Sequence, residues 1–190
     1  GSNSTTATAS NGSISNSGTL GASGNTLLIA STISNTNAIG NSNSTTTLTA
    51  NSSNVSTLTN NGSIQGTTIT LSASGNLSND SGGNIQGTDV SLTGSNLSGS
   101  GTLGASNNLS LNATSGNLSA NNLSANNITL SAGDSLSING TLNATHNATL
   151  SGTNSLTVSA SGNIKAANLS LSASNGSISN SGNRNYRTRK

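Results

Sequence analysis

The chain has 190 residues, enough for one ordinary domain, yet only 28% are apolar and 4% charged, with a formal net charge of +2. It holds no Pro, Cys, Met, Phe or Trp and a single Tyr, which excludes a conventional core of aliphatic and aromatic mass, a disulfide scaffold and a thiol nucleophile. Two states remain: disorder, or a repeat fold in which each short unit adds two or three apolar side chains to a continuous column.

Periodicity decides between them. Near the start, Ala7, Ala9 and Ile14 read as part of a coil that begins mid-turn. Leu20, Leu27/Ile29 and Ile33 fit one unit, and Ile39, Leu48 and Val55 fit a longer one. From there the pattern is regular. Apolar pairs recur at Ile69/Leu71, Val90/Leu92, Leu109/Leu111, Ile128/Leu130, Ala148/Leu150 and Leu169/Leu171. Five steps carry the first member from residue 69 to residue 169, a mean of 20 residues per step. Ile64, Ile85, Leu103, Leu123, Leu142 and Ile164 form a second column before the pairs. Leu77, Leu97, Leu118, Leu136, Leu156 and Ile178 form a third after them.

The spacing of two within each pair predicts a strand with one buried face, not a helix. Ser, Thr, Asn and Gly between the columns also disfavour helix interiors. No unit could bury its apolar face alone, whereas stacked units could. The predicted fold is therefore all-β, a parallel β-solenoid of about 20 residues per coil. Residues 1–183 form the rod, with 1–60 less regular and 61–183 in regular coils, and residues 184–190 form a basic tail. About nine coils at ~4.8 Å each give a rod on the order of 40 Å long.

The residue before each central pair is Thr68, Asp89, Asn108, Asn127, Asn147 or Asn168, close to an asparagine ladder at a corner. Stacked amides can hydrogen-bond along a rod, and Asp89 reads as a corner acceptor. A shorter ladder is expected at Asn76, Asn96 and Asn117. The outward positions of the pairs are Thr70, Ser91, Ser110, Thr129, Thr149 and Ser170, followed by Ser72, Thr93, Asn112, Ser131, Ser151 and Ser172. One face is thus a double column of hydroxyls and amides, read first as a solvated sheet face and otherwise as a surface for glycan or ice.

The groups that catalysis draws on are scarce. The acids are Asp80, Asp89 and Asp134, with no Glu, and Asp80 and Asp134 fall in separate turns outside the Asp89 column. No carboxylate pair is expected across a cleft, as glycoside hydrolysis requires. His146 is the only His, so a His-based metal cluster is not expected. The glycines punctuate strands and form no phosphate-binding motif. The reading is of a non-enzyme with no cofactor and no metal. No apolar run approaches ~18 residues, so a transmembrane segment is not expected. The absence of Met reads as a processed form or an excised fragment.

Arg184, Arg187, Arg189 and Lys190 hold four of the five basic residues, with Tyr186 among them. This is a small basic surface for nucleic acid, and no nucleic-acid partner is expected. It reads as a solvated terminus or the start of a further domain, or as a tail that docks on an acidic surface, near a membrane or on the next subunit. In a polymerising rod it is an assembly tail that lies across the joint, Tyr186 anchoring it and the arginines on backbone carbonyls or Asp side chains.

The stretches Ser161-Gly-Asn-Ile-Lys-Ala-Ala-Asn-Leu-Ser-Leu-Ser-Ala-Ser-Asn-Gly-Ser-Ile-Ser-Asn-Ser-Gly182 and Ser63-Ile-Gln-Gly-Thr-Thr-Ile-Thr-Leu-Ser-Ala-Ser-Gly-Asn-Leu77 resemble the repeats of filamentous haemagglutinin-like adhesins secreted by the two-partner route. The resemblance covers roughly residues 60–183. It implies a right-handed parallel β-helix, export to the surface or surroundings of a Gram-negative bacterium, and roles in adhesion or biofilm. The chain is shorter than those proteins usually are and shows no evident secretion motif.

The decapeptide Ala-Ser-Asn-Gly-Ser-Ile-Ser-Asn-Ser-Gly occurs at residues 9–18 and again at 173–182, so the first coil and the last resemble each other. Uncapped strand edges invite pairing, and a contact of one end with the opposite end propagates as a fibre. The expected function is a structural subunit of an extracellular or cell-surface filament, self-associating end to end. The alternatives are a shaft segment of a long secreted adhesin, or a module that binds glycan, a surface or ice.

Overall fold

A computed structural model describes residues 3–51 and 56–184, the last two as backbone. Twenty strands run through these residues, and no helix occurs among them. Every strand pairing is parallel, each strand bonding to the strands one coil before and after it. The expected parallel β-solenoid is the observed fold. Each regular coil has one long strand and one short one, such as Ser63–Ala73 with Asn76–Asn79, then Asn84–Gly94 with Asn96–Ser98. The long strands bend between the first apolar column and the central pair, where the register shifts at Gly104/Asn108 and Ala125/Asn127.

Alternation explains the core. The second member of the central pair stacks as Ala7, Leu28, Leu48, Leu71, Leu92, Leu111, Leu130, Leu150 and Leu171, which is nine coils. The first member begins as Thr5, Thr26 and Thr46 and becomes apolar at Ile69, Val90, Leu109, Ile128, Ala148 and Leu169. Two residues past each Leu runs a column of small residues: Ala30, Ala50, Ala73, Gly94, Ala113, Ala132, Gly152 and Ala173. This narrow column lets the chain turn toward the next face without leaving a void, because Ala and Gly demand little volume at a corner.

Most of the assigned column residues form one continuous buried core. It includes Ile64, Ile69, Leu71, Leu77, Ile85, Val90, Leu92, Leu97, Leu103, Leu109, Leu111, Leu118, Leu123, Ile128, Leu130, Leu136, Leu142, Leu150, Leu156 and Ile164. The last coil differs. Leu169 and Leu171 are partly buried, and Ile178, expected in the third core column, is 48% exposed. Ile178 does keep its register on Leu156. Its exposure arises because no coil lies above it among the described residues.

The first third corrects one expectation and extends another. Leu27 and Ile29 are not the inward pair; Leu28 and Ala30 are, with Thr26, and Leu27 and Ile29 lie on the outer face. The three consecutive apolar residues make the local alternation ambiguous. The stacking of Leu28 on Leu48 and of Ala30 on Ala50 settles the phase, since a slip of one residue would turn every side chain to the other face. The third-column member of the longer coil is Leu58, fully buried between Ile33 and Leu77. Val55, expected in this longer coil, lies outside the described residues. The register places the extra length between Ala50 and Thr57, and buried Ser56 donates to the Ala50 carbonyl at 2.8 Å.

Candidate functional site

Three asparagine ladders run along the rod, and the deepest of them is not among those expected from the sequence. Asn16, Asn35, Asn60 and Asn79 come two residues after the third apolar column and point inward, between 0% and 8% exposed. Asn16 Nδ2 donates to Asn35 Oδ1 at 2.8 Å, Asn35 Nδ2 to Asn60 Oδ1 at 2.7 Å, and Asn60 Nδ2 to Asn79 Oδ1 at 2.8 Å. The steps span 19, 25 and 19 residues. Each amide is also tied locally: the Oδ1 atoms of Asn16, Asn35 and Asn60 accept the backbone N–H two residues on, from Gly18, Asn37 and Gly62, at 3.3 Å. This Asx turn fixes the rotamer, so each Nδ2 aims at the next coil. The amides of the ladder are thereby hydrogen-bonded at low exposure, where an unpaired amide would cost about 1–3 kcal/mol.

The ladder ends where the chain runs out of asparagine. One residue past the Ser78–Ser98 pair stands Gly99, with a positive φ of 134°. A Cβ there would collide with the carbonyl oxygen of Asn79. Asn79 Nδ2 instead donates to the Thr102 carbonyl at 3.1 Å. The column then continues as Ala120, Ile138 and Val158 before Asn180. A cavity of about 20 Å³, the scale of one water molecule, lies at this handover, lined by Asn79, Gly99, Gly101 and Leu103 among others.

The outer corner carries the second ladder, with opposite polarity. Asn168 Nδ2 donates to Asn147 Oδ1 at 3.0 Å, Asn147 to Asn127 at 2.9 Å and Asn127 to Asn108 at 3.1 Å. Asn108 then donates to Asp89 Oδ1 at 2.8 Å, and Asn107 donates to the same oxygen at 3.1 Å. A row of aligned amides thus terminates on an acceptor-only carboxylate. In the shorter ladder, Asn96 Nδ2 donates to Asn76 Oδ1 at 2.9 Å, after which Asn96 Oδ1 accepts the backbone N–H of Asn117 at 2.9 Å.

The hydroxyl face holds its register through Thr70, Ser91, Ser110, Thr129, Thr149 and Ser170 and through Ser72, Thr93, Asn112, Ser131, Ser151 and Ser172. In the first coils the same columns read Thr6, Leu27, Thr47 and Thr8, Ile29, Thr49. The remaining ionisable groups stand apart. Asp134, in a separate turn, accepts from Asn154 Nδ2 of the next coil at 2.7 Å, and the exposed His146 lies 3.3 Å from Thr145 Oγ1 through Nδ1. Among the described residues no group of three or more His, Cys, Asp or Glu could hold a metal ion, and no helix is long and apolar enough to cross a membrane.

At the ends of the rod, the first described coil pairs on one side with Thr26–Asn35, and the last pairs on one side with Thr141–Gly152 and Ser155–Val158. Of the basic tail, Arg184 takes the register position after Ile164 in the column that begins with Leu20, Ile39 and Ile64. Tyr186, Arg187, Arg189 and Lys190 lie outside the described residues. No family model, no curated protein and no solved structure matches the chain.

Proposed function

We propose that the chain is a non-enzymatic structural subunit of a filament at a bacterial surface or outside the cell, built by end-to-end stacking of solenoids. The observation that carries this reading is the recurrence of one decapeptide in the first and last described coils, at residues 9–18 and 173–182, on a rod whose every internal step is parallel strand pairing. A surface that resembles the opposite end of the same molecule forms a heterologous contact, and such contacts propagate. The half-exposed Ile178 adds apolar area at one end. The scattered placement of Asp89, Asp134 and His146 supports a role without catalysis. The resemblance to haemagglutinin-like repeats supports a surface or secreted location in a Gram-negative bacterium.

The second reading is a shaft segment of a long secreted adhesin, favoured by the same resemblance. Binding of glycan or ice by the Ser/Thr/Asn face is the third. Negative-stain electron microscopy of the purified 190-residue chain at micromolar concentration separates them. Long fibres of uniform width are the expected result. Discrete short rods would overturn the filament reading and move attention to the shaft and to the hydroxyl face.

A further inference from the structure

The buried ladder has a direction, and that direction bears on how copies would join. In each step an Nδ2 donates toward the C-terminal end, to the Oδ1 of the next asparagine. The amide can also reach a backbone carbonyl there: Asn16 Nδ2 reaches the Ala38 carbonyl at 3.0 Å, and Asn35 Nδ2 the Ser63 carbonyl at 3.3 Å. An interior Oδ1, such as that of Asn35, accepts two bonds: one from the preceding amide and one from the N–H two residues on.

The two ends each lack one half of this scheme. Asn16 Oδ1 accepts the Gly18 N–H, and among the described residues no preceding amide donates to it. Asn180 repeats the same Asx turn, its Oδ1 accepting the Gly182 N–H at 2.8 Å, and among the described residues its Nδ2 has no acceptor. Asn180 also stands on Val158, after a run of Ala120, Ile138 and Val158. Nothing beneath it can bond an amide, and an aliphatic residue would pack there at least as well. A further coil stacked on top of Asn180 would give this asparagine its partner.

We propose that the joint between two copies is one more step of the buried ladder. Asn180 of one copy donates to Asn16 Oδ1 and to the Thr19 carbonyl of the next, since Thr19 holds the register position of Ala38. In the same register Ile178 is covered by Ile14 and Ala173 by Ala9. This rests on the end-to-end filament reading and specifies its contact. The contact lies on the two faces that carry these residues. On the third face Arg184 occupies the position that would precede Leu20, so that column does not repeat the interior pattern.

The test is a pair of cysteines in a chain that has none. Ser15 and Ser179 are exposed and sit one residue before the ladder asparagines. The proposed register brings Ser15→Cys of one copy beside Ser179→Cys of another at about 4.8 Å, within the ~4.4–6.8 Å between Cα atoms that a disulfide needs. Within one copy the two lie at opposite ends of the rod. The oxidised double variant should run as a ladder of covalent oligomers on a non-reducing gel, while a control with Thr8→Cys in place of Ser15→Cys stays monomeric. Asn180→Val should raise the concentration at which fibres appear by about tenfold, with the thermal melt of the rod unchanged. Wild-type fibres with no oxidised ladder and an unshifted Asn180→Val would overturn the ladder joint and leave the filament standing. An absence of wild-type fibres at any concentration would overturn both.

Discussion

Asn60 shows why the type of a residue matters more here than its hydropathy. Its side chain is fully buried, donates to Asn79 and to the Gly62 carbonyl, and accepts from Asn35. Asn60→Ala should cost about 1–3 kcal/mol in chemical denaturation, through the unpaired amides left above and below. Asn60→Asp keeps the shape and removes both donors. A buried carboxylate has a raised pKa in the folded state, so this variant should be most stable below the unfolded value of about 4 and lose stability as pH rises through the folded value. A flat pH profile would count against burial of the ladder. Thr26 gives the opposite case. Its buried Oγ1 has no partner among the described residues, so Thr26→Val should raise stability by about 1 kcal/mol or more. The exposed ladder from Asp89 to Asn168 was legible in the sequence because alternation outside an apolar pair marks a residue as outward. The buried ladder was not, because one asparagine among so many carries no sign of its facing. Its signal was the spacing: two residues after the third apolar column and two before Gly18, Asn37 or Gly62.

At the scale of the strand, the decisive quantity is phase. The regular coils could be read directly, since each offers one apolar pair and only one alternation buries it. The strand Thr26–Asn35 offers Leu27, Leu28 and Ile29 in a row, and its phase came from the neighbours stacked on it. Leu28→Ala should cost about 2–5 kcal/mol as a core truncation, whereas Leu27→Thr with Ile29→Thr should change stability by under about 1 kcal/mol, as for outward positions. The reverse ranking would mean the strand is inverted. Leu58 was missed for a related reason: an insertion at the preceding corner breaks the period of about 20, and sequence spacing alone cannot say where a corner absorbs it. In the core, Leu111→Asp or Leu130→Asp should abolish folding by circular dichroism, because each places an unpaired charge in a fully stacked column.

The whole molecule is a rod whose stability is a sum of similar steps, and the proposed filament turns on whether the stacking continues between copies. The tail enters at this scale. As a lock across the joint, its removal by truncation after Gly182 should raise the concentration at which fibres form while leaving the thermal melt of the coils in place. A lower threshold would instead mark Arg184, in its otherwise apolar column, as a charge that guards the edge against pairing. The axial repeat of the fibres is the most direct measurement of the central claim. Cryo-electron microscopy or fibre diffraction should show strands perpendicular to the fibre axis, spaced by about 4.8 Å without interruption, and a subunit repeat of about nine such steps, on the order of 40 Å. Fibres whose strands lie along the axis, or rods that stay single at every concentration, would contradict it.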